Sequence, residues 1–190
     1  MHDSLIVQVN EQGKVIGPIK YSQAHPKSKT KKGIRHMNSN ILVFEDLFET
    51  KLLLQMRGKG TTRSRVWDCS AGGHSDWLFE PDEKGQGQPE KSLVTAYREL
   101  GEELFYKKTI PETLKLIEIC SFPIQTRPNN PEFIHLFKGY HNKPFFPNPE
   151  EVDDLSFKEL IYILEDISQH PEKYANSFKA CLTNYLESSR

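Results

Sequence analysis

Cysteine is scarce and scattered in this chain. Cys69, Cys120 and Cys181 are the only three in 190 residues, an odd number with no CxxC pair, which argues against a disulfide scaffold and a zinc knuckle. A reducing, cytoplasmic setting is the expectation. Long apolar runs are missing as well. The amino-terminal MHDSLIVQVNEQG has neither a basic leader nor an extended apolar stretch, and the runs elsewhere are short pieces such as ILVF and LLL, so no membrane segment is expected. Nor does one sign of charge dominate. The 25 Lys plus Arg nearly balance 26 Asp plus Glu, which excludes a surface built for a nucleic-acid polymer and leaves phosphate affinity to local clusters.

The chain is long enough to bury roughly 70% of its unfolded surface as one domain. No internal repeat or linker divides residues 1–190. Apolar runs at 4–9 and 14–18 predict a hairpin over about 4–20, followed by a basic loop, PKSKTKKGIRH. Runs at 40–45, 51–57 and VWDCS, then at 114–124 and 132–140, predict strands. Residues 75–89 hold two Pro and two Gly without periodicity and read as an inserted loop feeding a helix. The helix is expected from Glu90 to Tyr106, with Leu93, Tyr97, Leu100 and Leu104 in one stripe. Two helices are expected at the carboxyl end. The first follows an apparent capping box, Ser156 with Glu159; the second starts near Pro171 and carries Tyr174, Phe178, Cys181 and Tyr185. Strands interrupted by one long helix and closed by two more indicate an α/β or α+β sandwich with a mixed sheet.

The expected central helix holds the chemistry. Residues three and four apart share a helix face, so Glu99 lies beside Glu102 and Glu103. Bare carboxylates repel one another. A hard divalent cation resolves the repulsion, because Mg²⁺ takes a few carboxylate oxygens and keeps positions for water and phosphate. Upstream, WDCS leads into AGGH, where Gly72 and Gly73 let the backbone approach an ion or phosphate closely.

The stretch from Gly73 to Tyr106 resembles the Nudix box, Gly-x5-Glu-x7-Arg-Glu-u-x-Glu-Glu-x-Gly-u, in which u is bulky and apolar. Glu90, Arg98, Glu99, Leu100, Glu102 and Glu103 fall at its spacings, whereas residues 74–89 lengthen the first gap and Phe105 replaces the terminal glycine. The resemblance implies a Nudix-like α/β/α sandwich. It also implies Mg²⁺ or Mn²⁺ held by Glu99, Glu102 and Glu103, with Gly73 beside the ion and Arg98 orienting the acids. A water then attacks a diphosphate, and Glu132 is the later-strand glutamate; Glu103 and Glu132 are both candidates for the base.

The order of motifs along the whole chain is similar to the Nudix branch that contains isopentenyl diphosphate isomerase. That likeness implies a second metal set of His25, His36, His74 and Glu132, with Asn130 where the isomerase has its other glutamate. Gly72 stands in the place of the isomerase's catalytic cysteine, and Cys69, three residues earlier on a strand, should point to the opposite face. Arg57 matches the branch's diphosphate-contacting arginine; Lys59 and Arg63 follow as further phosphate donors. Trp67, Trp77 and Phe79 border the inserted loop as core or cover. The leading expectation is hydrolysis of a diphosphate linkage in a nucleoside diphosphate derivative or related small molecule. Isomerisation, disfavoured by Gly72, and a non-catalytic ligand-binding module are the alternatives, and a homodimer stays open.

Overall fold

The order of elements follows the alternation of apolar runs. It comprises β1 (Leu5–Val9), β2 (Val15–Lys20), α1 (Tyr21–Ala24), β3 (His36–Phe44), β4 (Lys51–Arg57), β5 (Trp67–Asp68), β6 (Ala71–His74), β7 (Trp77–Leu78), β8 (Gln88–Pro89) and α2 (Ser92–Leu104). Then come β9 (Ile117–Arg127), β10 (Asn130–Tyr140), β11 (Val152–Glu159), α3 (Leu160–Gln169), a 3₁₀ turn (Pro171–Lys173) and α4 (Asn176–Ser188). The computed structural model describes residues 3–27, 31–59, 65–78, 87–127 and 129–188. Arg63, Phe79 and most of the expected inserted loop lie outside them. The class is α+β with a mixed β-sheet, as expected. Among the described residues no helix is long and apolar enough to cross a membrane.

The chain divides into two units, 1–39 with 73–95 and 121–135, and 40–72 with 96–120 and 136–190. In the first, β1 and β2 pair antiparallel from Leu5↔Lys20, with a bulge between Gln8 and Val9, and Gln8 pairs with His36 at the start of β3. Val7, Val9, Met37 and Phe133 bury together; Ile6, Ile19 and Ala24 form a smaller cluster. Trp77 is core, packing against the former group, and its strand β7 pairs with β8 through Trp77↔Pro89.

In the second unit, β4 pairs antiparallel with the end of β3, with β5 and with β11. Ala96, Leu100 and Leu104 of α2 pack with Ile41, Val43, Leu53 and Phe137. The inward stripe of α2 thus differs from the expected one. The helix begins at Ser92 rather than Glu90, and Leu93 in its first turn is 44% exposed while Ala96 is fully buried. The apparent capping box is also corrected. Ser156 pairs with Leu54 and Glu159 with Lys51, so both belong to β11, and α3 begins at Leu160 with no side-chain cap. Seven ladder partners outweigh one local capping signal. Tyr174, Phe178, Cys181 and Tyr185 are buried.

Candidate functional site

The middle turns of α2 bring four of the expected residues together. Arg98 Nη1 donates to Glu99 Oε1 at 2.7 Å and to Glu102 Oε2 at 3.2 Å, one guanidinium spanning two acids. Glu99 is 9% and Glu103 6% exposed, whereas the Glu102 side chain is 53% exposed. Glu103 Oε2 accepts the Gly72 N–H at 2.9 Å and Gln55 Nε2 at 3.1 Å. Gly72 therefore acts through its backbone, as an anchor for an acid.

Burial dominates the electrostatics of these acids. It pushes Glu99 up from an ordinary 4.5 to about 7, against the pull of Arg98 and with added repulsion from Glu102 and Glu151. Glu103 is pushed well above the carboxylate range, by burial first and by the Glu99 charge second. Glu151, absent from the sequence reading, belongs to the same group. Burial and then the Glu102 charge raise it, Asn148 Nδ2 donates to its Oε1 at 3.0 Å, and the Gly58 N–H holds its carbonyl at 2.7 Å. No local pattern marked it, since its position depends on the turn that leads into β11.

Of the expected phosphate donors, Arg57 lies within the electrostatic reach of Glu103 and Glu151 and lowers both. Its Nη1 donates to the buried Asp68 at 3.2 Å, while its Nε is buried with no hydrogen-bond partner. Lys59 is exposed beyond the end of β4. The Cys69 thiol is buried and hydrogen-bonds the Cys181 thiol. It is thus engaged with α4. Glu90, the first acid of the box, is buried and braces its surroundings: its Oε2 accepts Thr95 Oγ1 at 2.9 Å and the Asp76 N–H at 3.1 Å.

A second group gathers in the first unit. His25 follows α1, His36 opens β3 and His74 closes β6, and their nearest ligand nitrogens all lie within 4.8 Å of one another. His25 Nε2 and His74 Nε2 are 3.0 Å apart. His36 Nδ1 lies 2.9 Å from the Ile34 carbonyl, which can only accept, so Nδ1 carries the proton and Nε2 keeps its lone pair. That Nε2 is buried with no hydrogen-bond partner among the described residues and sits 3.9 Å from Glu132 Oε1. Burial pushes His36 down to about 4 and lowers His25 too, the latter against a hydrogen bond to Asn130. Both imidazoles are neutral at pH 7, the form that binds metal. Glu132 Oε1 also accepts Asn38 Nδ2 at 3.4 Å. Gly73 adjoins His74 in β6. The Tyr21 ring, missed in the sequence, lies 4.4 Å from that of His25 and 5.4 Å from that of His74.

Gly33 fixes the segment between His25 and His36. A Cβ there would lie 2.1 Å from the Asn129 carbonyl oxygen and 2.4 Å from that of Ala24, both backbone atoms with little freedom to move. Gly33→Ala should therefore lower stability by about 2 kcal/mol or more. Thermal melts in a chelator check this; an unchanged midpoint would contradict the close approach.

The fold is that of the Nudix domain. The chain superposes on the NUDIX domain of Shewanella oneidensis NrtR complexed with ADP ribose at a TM-score of 0.56 and 16% identity, covering 89% of this chain and 97% of that one. It superposes on DR0079 from Deinococcus radiodurans at 0.69 and 16% identity, covering 98% and 99%. In sequence it is similar to isopentenyl-diphosphate Delta-isomerase 2 of Aromatoleum aromaticum, 27% identical over 187 residues, 98% of this chain and 88% of that protein. No family model matches it.

Proposed function

We propose that the protein is a metal-dependent hydrolase that cleaves a diphosphate linkage in a nucleoside diphosphate derivative or a related compound. The observation that carries this reading is the burial of Glu99 and Glu103 beside Glu102 and Glu151, four acids whose mutual repulsion calls for a cation. Their all-oxygen set fits Mg²⁺ or Mn²⁺. Glu99, Glu102 and Glu103 hold the ion, and Glu151 adds charge. When bound, such an ion neutralises diphosphate charge and acidifies a coordinated water.

The chain's own groups do the rest. Arg98 keeps Glu99 and Glu102 in place. The hydrogen bonds to Glu103 fall on Oε2, which leaves Oε1 to accept the proton of the attacking water. Lys59 and the part-exposed guanidinium of Arg57 attract the diphosphate. The ADP ribose bound by the NrtR domain supports a nucleoside diphosphate derivative as the ligand class.

The histidine group favours a second reading, isopentenyl diphosphate isomerisation. His25, His36, His74 and Glu132 make a nitrogen-rich set suited to a transition metal. Against it, we read Gly72 as standing where the isomerase has its cysteine, and Cys69 is engaged by Cys181.

A substrate panel with Mg²⁺ or Mn²⁺ separates these readings. Release of phosphate or nucleoside monophosphate from nucleotide diphosphates or sugar nucleotides is the expected result. Dimethylallyl diphosphate formed from isopentenyl diphosphate would establish the isomerase instead, and saturable binding without turnover would leave a ligand-binding module.

A further inference from the structure

Helix α2 has another face beside its acids. Tyr97 and Gly101 lie along it, flanked by Arg98 and Glu102, and the chain that follows the helix closes the far side with Phe105, Lys107, Lys108 and Ile110. Together they line an open groove of about 550 Å³, within the size range of small-molecule sites. Glycine inside a helix is unfavourable. Here packing does not demand it: a Cβ on Gly101 would meet Ile110 Cδ1 at 3.5 Å and Cγ1 at 3.9 Å, both ordinary contacts. What the missing side chain does is leave the floor of the groove open.

The floor is aromatic and apolar; the rim is cationic. Lys107 adopts a left-handed φ of +56° in the turn that ends the helix, and its Nζ lies 4.7 Å from the centre of the Tyr106 ring. Lys108 Nζ lies 5.3 Å from the Phe146 ring. Both lysines rest on aromatic faces, and neither is paired with a carboxylate among the described residues. Two such charges at the edge of an apolar floor complement a ligand that joins a ring to phosphate.

We propose that this groove is a nucleoside diphosphate subsite, in which the base lies along Tyr97 and Tyr106 over Gly101 and the phosphate charges face Lys107 and Lys108. It rests on the hydrolase reading in one respect, that Glu102 belongs both to the groove and to the acid group. Ring faces distinguish a planar base from a prenyl chain, which would need only the apolar floor.

Titration calorimetry in a chelator reads the groove without any metal. ADP should bind at least about tenfold more tightly than inorganic diphosphate or isopentenyl diphosphate. Gly101→Leu, which fills the floor, and the Lys107→Ala/Lys108→Ala pair should each weaken ADP by about tenfold. The lysines are exposed, so the pair carries the test even if Gly101→Leu lowers the melting temperature. The proposal is overturned if ADP affinity is the same in the lysine pair, or if either other diphosphate matches ADP. Hydrolysis with an unchanged KM in both variants sinks the groove and leaves the hydrolase standing. Variant-sensitive ADP binding without hydrolysis of any substrate does the reverse.

Discussion

Glu103→Gln should abolish metal-dependent diphosphate hydrolysis, by about 10³-fold or more, and at the same time stabilise the metal-free protein at pH 7. The two effects have one cause. Burial and the Glu99 charge oppose ionisation of Glu103, so the folded protein carries a cost at neutral pH that a neutral amide of the same shape removes. The amide oxygen still accepts from Gly72 and Gln55, which keeps the packing intact. The gain follows from the upward direction of that shift and should appear as a higher urea midpoint. Turnover and urea melts on the same preparation check both halves. Loss of activity together with loss of stability would mark Glu103 as a structural residue.

The pH dependence of stability should contain large contributions of opposite sign, from Glu99 and Glu103 on one side and His36 on the other. Glu99 rises from 4.5 to about 7 on folding. Between those values the folded chain holds a proton that the unfolded chain has released, so this contribution is present below pH 4.5 and is lost as pH rises through 7. His36 falls from 6.5 to about 4. Here the unfolded chain takes up the proton first, so the contribution is present above pH 6.5 and is lost as pH falls through 4. Each amounts to about 3 kcal/mol across its window. The windows overlap between pH 4.5 and 6.5, where the His36 slope opposes those of the buried acids. Relative to the wild type, Glu99→Gln should tilt the profile upward with pH in that interval; His36→Gln should tilt it downward. Melts in a chelator at several pH values supply the profiles, and groups common to all three proteins cancel in the differences. Parallel profiles would contradict the burial of both groups.

What the sequence made legible was mostly local. The Arg98, Glu99, Glu102 and Glu103 group follows from helical spacing, because residues three and four apart meet whatever the rest of the chain does. The ends of α2 were misplaced by two residues, and its buried stripe passes through Ala96 rather than Leu93. Glu151 and Tyr21 were invisible for a different reason. The former reaches the acids through the turn before β11, the latter reaches His25 and His74 through a four-residue helix between the expected hairpin and the basic loop. The histidines came only from the order of motifs; their convergence depends on close backbone approaches such as that at Gly33. Ser156 and Glu159 show the converse, a valid local pattern overruled by strand pairing.

The most direct test is anomalous scattering from crystals soaked in manganese. A peak bounded by Glu99, Glu102 and Glu103, lost in the Glu103→Gln protein, is the predicted result. Density at the histidines alone, with none beside the α2 acids at saturating manganese, would contradict the account.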